Sequence, residues 1–202
     1  MLTRKGAATR RRIIDAAAAE IRDRGIADVT LDDVCRRSGT GKSQMFHYFP
    51  DGKDQLLLAV AEYEADRVIE DQQPHLGSLT SWTAWRRWRD ALVERYRQQG
   101  MNCALGALVT EVGRRTPAAQ AVTRQLLERW QRDLRAGIVA MQAQGLVDRD
   151  LDPDRTAGAL LAAIQGGVSI LMSTGSADQL AAALDLYLDY LRSGTQLRTG
   201  GR

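Results

Sequence analysis

Between Thr30 and Phe49 the chain reads TLDDVCRRSGTGKSQMFHYF, a stretch with room for two short helices and one tight turn. Thr30 is a good N-cap, and Asp33 three residues later completes a capping-box spacing with Asp in place of the usual Glu. Leu31, Val34 and Cys35 recur at helical spacing and predict one buried face, with Asp32, Arg36 and Arg37 on the others. Gly39 stands where a left-handed residue would end that helix. Thr40 is expected to cap the next helix, and Gly41 to allow a close turn. In the second helix Met45 and Phe49 share a face at i and i+4, flanked by Phe46, leaving Ser43, Gln44, His47 and Tyr48 more exposed. This is the layout of a helix-turn-helix, whose second helix enters the major groove of DNA by its N-terminal residues.

The surrounding residues extend the pattern. From about Thr9 to Tyr63 the chain, with RRIIDAAAAEIRDRGIADVTLDDVCRRSGTGKSQMFHYF followed by KDQLLLAV, resembles the DNA-binding domain of the TetR (tetracycline-repressor-like) transcriptional regulators. Gly25 matches the end of the family's first helix, Phe49 the end of its recognition helix, and Lys53 the start of its fourth. Two positions depart from the family. Phe46 stands where many members carry Tyr, and the run PDGK after Phe49 is one residue longer than usual.

Charge is distributed as phosphate binding requires. The first fifty residues hold ten Lys/Arg and six Asp/Glu, and the remainder holds 18 and 19. Arg4, Lys5, Arg10, Arg11 and Arg12 precede the first acidic residue. A basic end beside a near-neutral body suits nucleic acid; on its own it would equally be a solvated N-terminal tail.

Beyond Tyr63 the chain reads as successive helices. They are expected at Asp51 to about Gln72, Ser81–Gln99, Ala104–Arg114, Thr116 to near Gly145, Asp152 to near Gly175, and from Ser176 onward. Thr116-Pro117 and Asp152-Pro153 are cap-plus-proline starts, and Ser176 with Gln179 has capping-box spacing. Apolar stripes mark buried faces: Trp85, Trp88, Leu92 and Tyr96; then Leu127, Trp130, Leu134, Ile138 and Met141; then Leu180, Leu184, Tyr187, Leu188 and Leu191. No strand pattern, repeat or low-complexity segment stands out. The expected fold is all-α with about nine helices. Residues 1–50 would be a three-helix helix-turn-helix domain with its motif at 30–49, and residues 51–202 a ligand-binding and dimerisation domain.

Composition narrows the class. The 44% hydrophobic and 26% charged residues suit a packed, soluble chain. Cys35 and Cys103 both lie in apolar helical patterns and are expected as reduced core thiols in a cytoplasmic protein. No signal peptide is read, and no apolar run approaches the ~20 residues needed to cross a membrane. Ala157–Met172, the longest candidate, is interrupted by Gln165, Gly166 and Gly167. Gly41-Lys42-Ser43 imitates the end of a P-loop, but that motif needs glycine where Arg36 stands. His47 and His75 are too far apart to suggest a metal site with either cysteine. No enzymatic activity, cofactor or metal is expected.

The resemblance implies more. A homodimer would bind a palindromic double-stranded DNA operator, with recognition helices one turn of DNA apart, ~34–36 Å. Lys42, Tyr48, Lys53 and N-terminal arginines including Arg10 and Arg11 would hold phosphates. Ser43, Gln44 and His47 would approach base edges, with Thr40 and Gly41 at the entering turn. A small apolar or aromatic effector would lie near Trp85, Trp88, Cys103, Trp130 and Gln165, and NCALGALVTE at 102–111 looks like the corresponding region of a drug-responsive subgroup. The interface would use Leu161, Val168, Leu184, Tyr187, Leu188 and Leu191, although both stripes would serve equally as internal core. Gly166-Gly167 in mid-helix, each costing about 1 kcal/mol relative to Ala, suggests close helix approach. The alternative is a helical protein-interaction or small-molecule-binding module without DNA function.

Overall fold

The computed structural model describes residues 3–100, 103 and 116–199, and these are helical with connecting turns. The helices are α1 (Arg4–Arg24), α2 (Leu31–Ser38), α3 (Lys42–Tyr48), α4 (Lys53–Glu70), α5 (Trp82–Gln99), α6 (Pro117–Ala143), α7 (Pro153–Thr174) and α8 (Asp178–Thr199), with a 3-10 turn at Leu76–Ser78. The helix expected at Ala104–Arg114 lies outside the described residues. The caps behave largely as their residue types dictate. Asp152 Oδ1 accepts from the Asp154 and Arg155 N–H groups ahead of Pro153, and Gly175 ends α7 in the left-handed conformation. Thr116 Oγ1 accepts from Ala119 N–H at 3.2 Å, and Ser81 Oγ from Ala84 N–H at 3.2 Å. Ser176 differs from expectation: its Oγ accepts from Asp178 N–H at 3.1 Å, not from Gln179.

Packing divides the chain into two compact units. Residues 3–67, with 103 and 116–124, form the first; residues 68–100 and 125–199 form the second. Along the N-terminal half the packed units part at 67/68. The reason lies in α4, whose Leu56, Leu57, Ala59, Val60 and Ala61 complete the core of Ile13, Ile14, Ala17, Ala18, Ile21, Val34, Met45 and Phe49. Helices α1, α2 and α3 alone would leave that face open to water. Burying a side chain of this kind contributes about 1.5–3 kcal/mol.

The second unit is built on large apolar residues. Trp85, Trp88, Leu92 and Tyr96 of α5 are buried, as are Trp130, Leu134, Ile138 and Met141 of α6. Leu126 rather than Leu127 begins the buried stripe of α6. Helices α7 and α8 cross closely at Gly167. A Cβ there would lie 2.7 Å from the backbone Cα of Leu180, so only glycine permits the approach. Arg89 of α5 donates to Asp185 Oδ2 of α8 at 2.6 Å.

One correction concerns α7. By length and composition it is apolar enough to cross a membrane, contrary to the sequence reading, because Gln165 and the two glycines interrupt it only weakly. Its inner face, with Ala157, Leu160, Leu161, Ile164, Val168 and Leu171, is buried within the chain.

Candidate nucleic-acid interface

The helix-turn-helix is held by a cap with both arms made. Thr30 Oγ1 accepts from Asp33 N–H at 3.2 Å, and Asp33 Oδ2 accepts from Thr30 N–H at 3.1 Å and from the Thr30 hydroxyl at 2.6 Å. The hydroxyl bond, then the N–H bond, and the Arg24 guanidinium beyond them hold the Asp33 carboxyl well below the usual carboxylate range. Arg24 lies 3.2 Å and Arg36 3.1 Å from Asp33 Oδ1. At the other end of α2, Arg12 Nε of α1 donates to Ser38 O at 2.9 Å. The Arg37 guanidinium reaches Asp23 at 2.6 Å and Glu20 at 3.2 Å. These arginines pin α2 to α1. The sequence reading placed Arg36 and Arg37 on faces other than the buried one, and both are exposed; what it missed is that Arg37 pairs with Asp23 and Glu20 of α1, fourteen and seventeen residues back.

The turn departs from expectation at Thr40. It does not cap α3; its hydroxyl lies 3.5 Å from Ser38 O and its side chain is 5% exposed. Gly41 is the N-cap and supplies no side-chain bond. Gly39 takes the left-handed conformation at φ 62°, and the Thr40 N–H then reaches Cys35 O at 3.0 Å. The segment returns so tightly that Thr40 is folded under the turn. Its side chain is packed into the turn rather than presented outward.

Helix α3 separates its faces sharply. Met45 and Phe49 are buried, while Lys42, Ser43, Gln44 and His47 are exposed. Tyr48 is half-buried, its ring edge-on to His47 at 4.9 Å. Phe46, expected to flank the buried face, is 49% exposed. Lys42 Nζ lies 3.0 Å from Asp32 Oδ1, with both side chains open to water. Lys53 is half-buried and donates from Nζ to Ile26 O at 3.3 Å, so one of its three donors closes the fold rather than facing a phosphate. Arg10 stacks 5.3 Å over Phe49, and Arg11 lies 4.0 Å over Tyr63 while pairing with Asp15 at 3.2 Å.

The basic end is a helix, not a loose tail. Helix α1 starts at Arg4, capped by Thr3 Oγ1, which accepts from Gly6 N–H at 3.1 Å. Arg4 and Lys5 therefore sit in a first turn without acid, at the positive end of the helix dipole. Cations there are unfavourable by a few tenths of a kcal/mol to about 1; a phosphate nearby would reverse the sign.

The remaining expected site residues fall elsewhere. Cys103 is buried in the first unit, whereas Trp85, Trp88 and Trp130 are buried and Gln165 half-buried in the second. Neither cysteine forms a disulfide. Burial and the Asp32 charge push the Cys35 thiol up, which disfavours the thiolate. Trp88 Nε1 donates to Gln72 Oε1 at 2.9 Å, but the Trp85 and Trp130 Nε1–H groups are buried without a partner. Leu161, Val168, Leu184, Leu188 and Leu191 are buried within the single chain, and the Tyr187 hydroxyl donates to Thr156 O at 2.9 Å. Within the single chain these residues lie where α7 and α8 pack together, with Tyr187 half-buried. The outward face of the same helices carries Ile170, Leu186 at 71% and Tyr190 at 53% exposure. Among the described residues no group of three or more His, Cys, Asp and Glu could hold a metal.

An all-α chain with this capped pair of short helices, a polar outward arc on the second and arginines pinning the first, has the architecture of a helix-turn-helix DNA-binding regulator. Residues 13–60 match the family described as "Bacterial regulatory proteins, tetR family", and residues 82–191 match "Tetracyclin repressor-like, C-terminal domain". The chain belongs to the TetR family of transcriptional regulators, which are DNA-binding proteins rather than enzymes. An uncharacterised helix-turn-helix-type regulator of Mycobacterium tuberculosis is 32% identical over 110 residues, 52% of this chain and 53% of that protein. The match thus spans about half the length of that relative. The transcriptional regulator AcuR of Cereibacter sphaeroides is 28% identical over 197 residues, covering 94% of this chain and 82% of that one. Among solved structures, a regulator from Saccharomonospora viridis in complex with choline superposes with a TM-score of 0.71 at 23% identity, covering 91% of this chain and 96% of that one.

Proposed function

We propose that two copies of this chain bind a palindromic double-stranded DNA operator in the cytoplasm and repress transcription until a small molecule releases them. The observation that carries the reading is the outward arc of α3, where Ser43, Gln44 and His47 are exposed opposite buried Met45 and Phe49. Gln44 is suited to bidentate pairing with adenine, and Ser43 and His47 to neighbouring base edges. Lys42, Tyr48, Arg10, Arg11 and the remaining donors of Lys53 would hold phosphates and fix register. Residues 1–50 supply the DNA contacts, and residues 51–202 the effector site and dimer contacts. The core shared with α4 supports extending the first of these to about residue 60.

The dimer face is the outward side of α7 and α8, with Ile170, Leu186 and Tyr190 as anchors. Gly166 supports it, since nothing in its own chain lies within 4 Å of a Cβ built there. A glycine facing away from its own core has a packing purpose if a partner helix approaches. The effector site draws on Trp85, Trp130 and Gln165 of the second unit. Two buried indole N–H groups without partners favour an apolar or aromatic molecule carrying a hydrogen-bond acceptor, because an unmet buried donor costs about 1–3 kcal/mol. A protein with this fold forms a complex with choline, which supports a small-molecule site somewhere in the fold. An effector that binds one spacing of the recognition helices better than the other lowers DNA affinity by that difference.

The test is selection of bound sequences from a random duplex pool, followed by sedimentation of the complex. Enrichment of a palindrome bound by two chains is the expected result. Recovery of no preferred sequence would remove the proposal.

A further inference from the structure

The outward arc of α3 contains one residue of the wrong polarity for a phosphate-binding surface. Phe46 lies one turn after Lys42 and Ser43, and its ring is half open to water. Single exposed apolar side chains are ordinary on protein surfaces and by themselves need no explanation. Three features set this one apart. Among the described residues of the first unit it is the large apolar side chain left exposed, and it stands beside the side chains suited to base edges. It has no hydroxyl, so it has nothing to offer a phosphate oxygen. Part of its ring also lies close to the junction after α3. Phe46 Cε1 and Leu31 Cδ1 each lie 3.9 Å from the Cβ position of Gly52, the residue at the centre of the lengthened PDGK junction.

Gly52 is built for that contact. Its φ is +71°, a conformation other residues rarely adopt. Its N–H donates to Phe49 O at 2.9 Å, and its carbonyl accepts from Leu56 N–H at 3.1 Å, joining the end of α3 to the first turn of α4. The junction therefore turns beside the ring, which stays half exposed. Phe46 Cε1 and Leu31 Cδ1 thus both lie near Gly52, while Phe46 as a whole is half exposed.

An apolar ring on a base-reading helix can discriminate by one chemistry only. Among the groups displayed in the major groove, the thymine 5-methyl is the apolar one. The geometry points to Phe46 as a specificity-determining residue that packs against a thymine methyl in each half-site. This rests on the DNA-binding reading above. The selectivity is for thymine over cytosine at one strand position and arises from burial, so it adds little to the salt dependence that phosphate contacts produce.

The probe is a duplex carrying the selected operator, with each thymine of a half-site replaced singly by deoxyuridine, which removes the methyl and nothing else. Wild-type protein should lose about three- to tenfold in affinity at one position per half-site and stay near unchanged at the others, as expected for one buried methyl. Phe46→Ala, at a half-exposed position, should keep its helical spectrum and melting midpoint and bind thymine and deoxyuridine duplexes equally there. Its salt slope should equal that of wild type. Wild-type binding indifferent to every deoxyuridine, or discrimination that survives in Phe46→Ala, overturns this inference and leaves the DNA reading standing. No binding to any duplex at low salt overturns both.

Discussion

Lys42 Nζ and Asp32 Oδ1 are 3.0 Å apart, which places the first cation of the recognition helix in an ion pair with its own protein before any DNA arrives. The carboxylate occupies the kind of position a phosphate oxygen would take. Binding DNA through Lys42 therefore exchanges one anion for another, and Asp32 is left beside a negatively charged duplex.

Removing the competitor should strengthen binding. Exposed pairs of this kind contribute about 0.2–1 kcal/mol, so Asp32→Asn is expected to bind operator and random DNA alike a few-fold more tightly. Lys42→Ala should weaken both and reduce the slope of log K against log salt by about 1. Fluorescence anisotropy across a salt series measures both. An unchanged slope in Lys42→Ala would place that ammonium away from phosphate.

Gln44→Ala should behave differently. Loss of a bidentate base contact costs about 1–3 kcal/mol at one base pair and relaxes specificity there. Binding to each single-base variant of the operator checks this. A uniform loss on all sequences would show that Gln44 is not reading a base.

The Thr30–Asp33 cap predicts an acid-sensitive helix-turn-helix. Asp33 titrates below its ordinary value of 3.8 in the fold, so its ionised form is the one the fold favours. The stability it supplies is present above that ordinary value and is lost as pH falls below it toward the depressed one. Asp33→Asn should be less stable than wild type at pH 7, and the gap should close on acidification below about pH 4. Urea midpoints at a series of pH values test this, and a constant gap would contradict it.

Adjacent glycines on α7 should give opposite results. Gly167→Ala forces a Cβ against Leu180 Cα and is expected to cost about 1–3 kcal/mol by overpacking. Gly166→Ala meets open space in its own chain and should favour the helix by about 1 kcal/mol, while loosening self-association. Thermal melts and sedimentation over a concentration series separate the two effects.

Leu184 and Leu186 make the same distinction on α8. Leu184 is buried, and Leu184→Ala should destabilise the fold by about 2–5 kcal/mol. Leu186 is exposed, and Leu186→Glu should yield folded monomers. Dimers persisting in Leu186→Glu would move the interface elsewhere.

The residues legible in advance were those whose roles are set within one or two helical turns. Thr30 with Asp33, Asp152 with Pro153, Thr116 and Gly39 all declare themselves through local hydrogen-bond geometry, and the structure forms those caps. Stripes such as Trp85–Trp88–Leu92–Tyr96 announced burial because helical periodicity alone places them on one face. What periodicity leaves open is which neighbour a buried face meets. Leu161, Val168, Leu184, Leu188 and Leu191 suited a partner chain or each other, and within the single chain they are buried. Thr40 failed for a related reason, because its hydroxyl suited a cap while the turn at Gly39 carried it inward. Phe46 was noticed for its missing hydroxyl, but its exposure and its contact with Gly52 depend on how the PDGK junction folds back. The arginine pairs linking α1 to α2 required tertiary structure to be seen at all.

The most direct test of the whole account is a mobility-shift titration of the intact protein with the DNA upstream of its own coding region, in the presence of excess random-sequence competitor. A discrete shift that survives competitor and weakens in Gln44→Ala is the predicted result. A folded dimer that gives no shift even at low salt would contradict it.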